Sequence, residues 1–220
     1  MSGAALDDAD AAVLQECLLA GGVAVFPADT VYGVACDPSS HAALARIYEM
    51  KGRPAAKPAA VMWFSPQAAA DELARLPQRT RQAAAALLPG PVTLLLPNPA
   101  RRFPLACEPD GAGSIPPAPL GLRVPAWPPQ LAALALVQAP ALQSSANLSG
   151  DPPPRRLHEV PQPICDAADL VIDGGELPGL ASTVIDLQAF ESGGTFAIVR
   201  EGAIGEQQVR AALTGIASRC

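Results

Sequence analysis

The chain has 220 residues, half of them apolar, and carries a formal net charge of −6. That length suffices for one substantial core, and the acidic balance argues against a general nucleic-acid surface, which normally forms a basic field. The N-terminal segment has no basic stretch before an apolar run, and no apolar run is long enough to span a bilayer. We therefore expect a cytoplasmic protein without a membrane partner.

The apolar pattern predicts one alternating α/β unit without an internal repeat, which we assign to a single domain over 1–220 with its core at about 10–215. Helices are predicted at 10–20, 40–50, 67–75, 78–88, 131–139 and 206–213. Strands are predicted at 23–26, 31–34, 61–64, 91–96, 120–124, 142–144, 170–173, 183–187 and 196–200. The Pro-, Gly- and Ala-rich segment 98–119 is predicted to be a flexible surface loop.

A basic motif follows the second predicted helix. The only two lysines, Lys51 and Lys57, lie in KGRPAAKP (51–58), with Arg53 between them. A lysine ammonium is a compact charge suited to phosphate oxygens, whereas an arginine presents a planar fork. The motif favours an anion site, and a solvated turn is the alternative because Gly and Pro flank the charges.

Two polar segments lie at the ends of predicted strands. SSANLSG (144–150) offers hydroxyls, a carboxamide and a glycine, which suit either an anion site or an ordinary helix N-cap. In DGGELPGLASTVIDL (173–187), Ser182 and Thr183 open a strand. The five cysteines and two histidines show no metal-ligand spacing, so we assign no metal ligand.

Together with FPADTVYGVACD (26–37), LPGPVTLLLP (88–97) and GLRVPAWP (121–128), these motifs resemble, from about residue 14 to 205, the YrdC-like family of threonylcarbamoyl-AMP synthases in its short single-domain form. The resemblance implies a YrdC/RibB-like fold, which is a twisted mixed β-sheet flanked by helices with a concave ligand cavity.

The resemblance also implies a reaction. L-Threonine, bicarbonate or CO2, and ATP with Mg2+ as its cofactor would give threonylcarbamoyl-AMP and pyrophosphate. A partner complex would then transfer the threonylcarbamoyl group to the tRNA adenosine beside the anticodon. Direct binding of tRNA by this chain is expected to be weak, given its acidic balance.

Site residues follow from the resemblance position by position. Catalysis is assigned to Lys51 and Arg53. ATP contacts are assigned to Arg53, Lys57, Asn147, Arg155 and Arg200. Threonine contacts are assigned to Thr30, Arg123, Ser145 and Ser182, with the Arg123 fork on the carboxylate.

Some of these residues have simpler interpretations. Arg155 beside Arg156 also fits a solvated pair, and Arg200 before Glu201 also fits a surface ion pair. Asp29, Asp173 and Asp186 are more typical of turns and caps than of metal ligands, and we give none of the three a catalytic role.

The chain departs from the family pattern mainly at positions expected to contact the amino-acid substrate. Met62, Pro119 and Trp127 stand where polar residues are usual, and Ala59 and Lys57 also differ. Three other functions therefore stay open: a carbamoyl-adenylate-forming module like that of hydrogenase maturation proteins, an RNA-binding protein, and a regulatory relative without synthase activity.

Overall fold

The computed structural model describes residues 5–52, 58–109, 111 and 113–216. They form a nine-stranded sheet of strand order β7-β1-β2-β6-β3-β5-β4-β8-β9. In chain order the strands are β1 (Ala24–Pro27), β2 (Tyr32–Cys36), β3 (Ala60–Met62), β4 (Val92–Leu96), β5 (Leu120–Arg123), β6 (Ala141–Ser145), β7 (Leu170–Val171), β8 (Thr183–Asp186) and β9 (Ala197–Arg200). Three of the strand pairs are parallel, namely β1–β7, β3–β5 and β4–β8. The predicted mixed sheet is confirmed.

Helices connect the strands and pack against the sheet. They are α1 (Asp8–Leu19), α2 (His41–Met50), α3 (Ala70–Ala74), α4 (Gln78–Leu87), α5 (Pro104–Cys107), α6 (Gln162–Ala167), α7 (Phe190–Gly193) and α8 (Glu206–Leu213). Two further helices, Pro129–Leu136 and Leu157–Glu159, are of the 3₁₀ type. The short helices α5, α6 and α7 were not predicted, because four to six residues are too few to show a helical period.

Local sequence signals fix where α2 begins and ends. The Ser40 hydroxyl accepts a hydrogen bond from the backbone N–H of Ala43 at 3.2 Å, which caps the first turn. Buried Leu44, Ile47 and Tyr48 hold the helix on the core. The helix ends at Met50, and Lys51 is its C-cap residue. This ending places the lysine beside the end of β6.

The central strands have two chemically different faces. In β4, Val92, Leu94 and Leu96 belong to the hydrophobic core, whereas Thr93 and Leu95 face the opposite side. Successive side chains of a strand point to opposite faces, so this alternation separates a core face from a second face. That second face carries the site.

The segment 98–119, of which residues 110 and 112 lie outside the described residues, was predicted to be a flexible surface loop, and its described part contains the short helix α5 and several side-chain contacts. The Asn98 side chain accepts a hydrogen bond from Arg102 N at 2.8 Å and donates one to Arg102 O at 2.9 Å. Phe103 packs edge-on against Trp63 with ring centroids 5.5 Å apart. The composition of the segment hid these anchors, because a few well-placed side chains hold a chain that is otherwise rich in Pro and Gly.

The helix predicted at 131–139 is a 3₁₀ helix that ends at Leu136. Pro140 disfavours helical backbone in the residue before it, which limits the length of this element. The strand predicted at 170–173 shortens to Leu170–Val171, since only β1 pairs with it.

Candidate functional site

A cavity of about 560 Å³ opens on the second face of the sheet. Its lining combines alternate residues of the central strands with the loops at their ends. The described residues that line it include Thr30, Ala59, Thr93, Leu95, Cys107, Pro119, Gly121, Arg123, Gln143, Ser145, Asn147, Asp151, Ser182, Val184 and Arg200. The structure thus brings together six of the predicted site residues: Thr30, Arg123, Ser145, Asn147, Ser182 and Arg200.

A buried arginine forms the centre of the cavity floor. Arg123, at the end of β5, is only 4% exposed. Its Nη2 donates to Asp29 Oδ1 at 2.6 Å and to Thr30 Oγ1 at 3.3 Å, and its Nη1 donates to Gln143 Oε1 at 3.1 Å. We call these four residues the floor cluster. A guanidinium has five N–H donors, so these three bonds leave two, one on Nη1 and one on Nε.

The floor cluster contains a fully desolvated ion pair. The side chains of Arg123 and Asp29 are 4% and 2% exposed. Burial raises the pKa of the Asp29 carboxyl, and the positive charge of Arg123 opposes that rise. Burial also lowers the pKa of the Arg123 guanidinium, and Asp29 opposes that change. Each charge is tolerated in the interior because the other lies beside it.

Gly33 leaves room for the Gln143 side chain of the floor cluster. Gly33 of β2 pairs with Ser145 of β6. A Cβ atom at Gly33 would lie 2.6 Å from Gln143 Nε2, well inside contact distance. A side chain at position 33 would therefore displace the Gln143 amide from the position in which it holds Arg123.

Lys51 lies behind the turn that follows β6. It is 3% exposed, and its ammonium donates to the carbonyl oxygen of Ser145 and, at 2.6 Å, to that of Asn147. The Ser149 N–H in turn donates to the Lys51 carbonyl at 3.0 Å. Lys51 is not among the described residues that line the cavity. In this structure its charge organises the turn, and the direct catalytic role predicted for it stays a prediction.

The same turn presents polar side chains to the cavity. Ser145 Oγ donates to Asn147 Oδ1. The amide nitrogen of Asn147 donates to the carbonyl oxygens of Leu148 at 2.8 Å and Asp151 at 2.7 Å. The hydroxyl and the carboxamide are therefore held in one orientation.

The cavity wall is built from the starts of β4 and β8 and the end of β9. Ser182 Oγ and Thr93 Oγ1 lie 2.8 Å apart. Arg200 Nη2 donates to the Ser182 carbonyl at 2.7 Å and to Ser182 Oγ at 3.3 Å. We call Thr93, Ser182 and Arg200 the wall cluster. Burial lowers the pKa of the Arg200 guanidinium, and among the described residues no carboxylate pairs with it. The surface ion pair considered for Arg200 is thus not formed with Glu201.

Of the other predicted ATP contacts, two are not among the described residues and one does not line the cavity. Arg53 and Lys57 fall outside the described residues. Arg155 pairs with Glu176 at 2.6 Å, as Arg156 does at 2.5 Å, with both arginine side chains at least 40% exposed. Arg155 is not among the described residues that line the cavity. Its placement matches the solvated pair that the sequence left open.

Sequence reasoning missed Asp29, Gln143 and Thr93 as parts of the site. Gln143 and Thr93 are polar residues inside apolar strands, and that pattern was the available signal for both. Asp29 stands in a turn-like PADT segment, where an aspartate has an ordinary local explanation. Nothing local shows that its partner is an arginine 94 residues away.

Two of the departures from the family pattern have structural roles. Met62 is fully buried in the core. Trp127 stacks on Phe64 with ring centroids 6.0 Å apart and donates its indole N–H to the Phe64 carbonyl at 2.7 Å. Neither residue is among the described ones that line the cavity, whereas Pro119 and Ala59 are. The altered residues that reach the cavity are therefore small or apolar.

Within the described ranges there is no group of three or more His, Cys, Asp or Glu side chains that could hold a metal ion. A search of the same ranges finds no helix that is long and apolar enough to cross a membrane.

A family model named Sua5_yciO_yrdC, described as "Telomere recombination", matches residues 16–202. The chain belongs to this family. The Sua5/YciO/YrdC assignment confirms the resemblance seen in the motifs, and it covers every strand of the sheet.

Among curated relatives in the family, threonylcarbamoyl-AMP synthase of Pyrococcus abyssi is 32% identical over 201 residues. That match covers 89% of this chain and 57% of the relative, so the chain spans less than two thirds of that protein. The synthase of Xanthomonas euvesicatoria pv. vesicatoria is 36% identical over 161 residues, which cover 71% of this chain and 81% of the relative.

A solved structure has the same fold. The crystal structure of P. abyssi Sua5 complexed with L-threonine superposes with a TM-score of 0.74 at 27% identity. The match covers 95% of this chain and 58% of that one. The predicted twisted mixed sheet flanked by helices is confirmed by this similarity.

Proposed function

We propose that the chain is a nucleotidyltransferase that forms threonylcarbamoyl-AMP and pyrophosphate from L-threonine, bicarbonate or CO2, and ATP. The observation that carries this proposal is the floor cluster, a buried guanidinium held in place within a cavity of about 560 Å³. The curated relatives that match most of this chain are named threonylcarbamoyl-AMP synthases, which supports the same reaction.

The amino-acid half of the site is the floor cluster with the nearby hydroxyls. An arginine whose position is fixed by Asp29 and Gln143 suits a carboxylate, because its remaining N–H groups are already oriented. We assign the threonine carboxylate to Arg123, and the substrate's other polar groups to Thr30, Ser145 and Ser182. L-Threonine in the P. abyssi Sua5 structure supports an amino acid as the ligand.

The nucleotide half is Arg200 of the wall cluster together with the turn after β6. Arg200 brings a guanidinium without a carboxylate partner among the described residues, and such a group suits phosphate oxygens. We assign ATP contacts to Arg200 and Asn147, and to Arg53 and Lys57 by the motif alone. Lys51 would act by holding the Ser145 and Asn147 carbonyls, so that the turn keeps its shape when ATP binds.

The chemistry needs no protein nucleophile. The threonine amine adds to the carbon of CO2 and loses a proton, which gives a carbamate. A carbamate oxygen then forms a bond to the α-phosphorus of ATP, and the bond from that phosphorus to the bridging oxygen of pyrophosphate breaks. The protein's contribution is to position the reactants and to stabilise negative charge on the phosphates.

Mg2+ would enter as the complex of ATP. Magnesium is commonly held by substrate phosphates with one or two carboxylates rather than by a protein cage, and the described residues offer no such cage. When bound, the ion would neutralise charge on the departing pyrophosphate.

The product would pass to a partner complex that modifies the tRNA adenosine beside the anticodon, which fits the cytoplasmic location expected from the sequence. The net charge of −6 makes tight binding of tRNA by this chain itself unexpected. We therefore propose that tRNA is recognised chiefly by the partner.

The test is pyrophosphate release by the purified chain with ATP, Mg2+ and bicarbonate. L-Threonine is compared with L-serine, L-alanine and no amino acid, and the adenylate product is identified by mass spectrometry. Release that depends on threonine and yields threonylcarbamoyl-AMP is expected. Release with carbamoyl phosphate instead would favour the carbamoyl-adenylate module, and ATP binding without any release would favour the regulatory alternative.

A further inference from the structure

Thr93 is a buried hydroxyl in the cavity to which sequence and comparison give no role. It is 8% exposed and lies in β4, between the core residues Val92 and Leu94. It lines the cavity beside Ser182, which precedes the parallel neighbour β8. The two oxygens are 2.8 Å apart, although 89 residues separate them in the chain. The parallel pairing of β4 and β8 therefore builds a pair of hydroxyls.

The two hydroxyls of this pair carry two protons, and the hydrogen bond between them uses one. Each hydroxyl has one donor and two acceptor positions. One proton lies between Thr93 and Ser182, and either oxygen could donate it. Arg200 also donates to Ser182 Oγ, and so uses an acceptor position. Within the described part of the chain no acceptor is found for the second proton of the pair.

The surroundings indicate what the spare O–H would meet. Both hydroxyls line the cavity, and so does the Arg200 guanidinium that donates to Ser182. A donor beside a guanidinium favours an anionic oxygen, because hydrogen bonds to charged acceptors are about twice as strong as neutral ones. In the amino-acid half of the site, the anionic oxygens are those of the carboxylate or the carbamate.

We propose that Thr93 is a positioning residue for the amino-acid substrate: it fixes the orientation of the Ser182 hydroxyl, so that the pair presents one O–H donor to an anionic oxygen of threonine or its carbamate. This inference rests on the proposed function. Thr93 would act through Ser182 and would leave the ATP contacts unchanged.

The test is a double-mutant cycle on the full chain. Thr93→Val keeps the shape of the side chain and removes the hydroxyl, whereas Thr93→Ser keeps the hydroxyl. Both are combined with Ser182→Ala. Thr80→Val is the matched control, because Thr80 is also a buried threonine but bonds Glu191 and is not among the described residues that line the cavity. For each variant, KM for threonine, KM for ATP, kcat and the melting temperature are measured.

We expect Thr93→Val to raise the threonine KM about threefold to tenfold, as is typical for one hydrogen bond, with the ATP KM unchanged. Thr93→Ser should stay within about twofold of the parent. Thr93→Val should have no further effect once Ser182 is alanine, because coupled residues are not additive. If Thr93→Val does not fold, Thr93→Cys, which is a near-isosteric weak donor, replaces it.

Two results would overturn this inference alone. In the first, Thr93→Val raises the threonine KM by the same factor with Ser182 and with Ala at 182. In the second, it only lowers the melting temperature, as Thr80→Val does, and leaves the threonine KM unchanged. A parent chain that shows no threonine-dependent pyrophosphate release would instead overturn the proposed function, and this inference with it.

Discussion

Arg123 and Arg200 reach the same cavity in different ways. Arg123 is buried in the floor cluster, and its charge is balanced by Asp29 at 2.6 Å. Arg200 stands in the wall cluster, where it bonds only oxygens of Ser182 among the described residues. The first guanidinium is fixed by the fold, whereas the second has charge available for a ligand. Under the proposed function, Arg123 is the rigid amino-acid anchor of the cavity and Arg200 is its cation for phosphate.

This difference separates effects on folding from effects on binding. Removing one member of a buried ion pair leaves the other charge in the interior and costs about 3 to 5 kcal/mol. Removing an exposed cation such as Arg200, which has no carboxylate partner among the described residues, leaves no such charge. Changes in the floor cluster should therefore alter stability and threonine binding together. Changes in the wall cluster should alter ligand binding alone.

The largest effect is expected for Arg123→Met, which leaves the Asp29 carboxylate unpaired. We expect a loss of about 3 to 5 kcal/mol in the free energy of unfolding at neutral pH, measured by urea titration. Threonine-dependent pyrophosphate release should fall roughly 100-fold, as expected for the loss of a hydrogen bond between charged groups, which is worth up to about 3 kcal/mol.

The pH dependence of Arg123→Met follows from the Asp29 carboxyl. Burial raises its pKa in the folded state, and the variant lacks the cation that opposes the rise. A raised folded-state pKa means that the folded form favours the protonated carboxyl, so the destabilisation should shrink as the pH falls and grow as it rises. The double variant Asp29→Asn/Arg123→Met should regain stability without regaining activity. Recovery of both would contradict the anchor role of Arg123.

Lys51→Met tests whether this lysine positions the turn or binds phosphate. It leaves the Ser145 and Asn147 carbonyls without their ammonium donor, so we expect turnover to fall roughly 10- to 100-fold. Hydrogen exchange of the amides at 146–149 should become faster in the absence of ligand. A higher ATP KM with unchanged exchange would instead identify Lys51 as a direct phosphate contact.

Arg200→Ala should raise the ATP KM roughly 10-fold, since charge-assisted hydrogen bonds are worth about 1.5 to 3 kcal/mol before solvent screening. The melting temperature should change little, because no buried carboxylate loses its partner. Arg200→Lys keeps the charge and should recover part of the affinity. A loss of stability as large as that of Arg123→Met would show that the floor and wall clusters do not differ in their contribution to folding.

The smallest effect is expected for Arg155→Ala, which breaks an exposed pair with Glu176. Its ATP KM should stay within about twofold of the parent, because exposed pairs contribute little. Glu176→Gln breaks the same pair from the other side and is the matched control. A tenfold rise in ATP KM for Arg155→Ala, but not for Glu176→Gln, would show that Arg155 contacts the nucleotide.

The sequence predicted the sheet well because its strands carry a clear local pattern. Buried runs such as 91–96 and 120–124 stand between Gly and Pro residues, and they form β4 and β5 within one residue of the predicted ends. Motif resemblance then gave six residues that do line the cavity. Local signals and motifs are therefore sufficient to predict these strands and these six residues.

The rest depended on contacts between distant parts of the chain. The sequence motif predicted a catalytic role for Lys51, but it did not show that the Lys51 ammonium bonds carbonyls 94 and 96 residues away. Asp29 and Thr93 belong to the site because they bond Arg123 and Ser182, which are 94 and 89 residues away in the sequence. Pairings of this kind are set by strand order, which no local pattern encodes.

The most direct test of the floor cluster as the amino-acid anchor is titration calorimetry with L-threonine and with L-threoninol, which replaces the carboxylate by an alcohol. The account predicts that the parent chain binds L-threonine at least about 100-fold more tightly than L-threoninol, because the Arg123 guanidinium loses its anionic partner in the alcohol. Equal affinity for the two compounds would show that the floor cluster does not bind the carboxylate and would contradict the account.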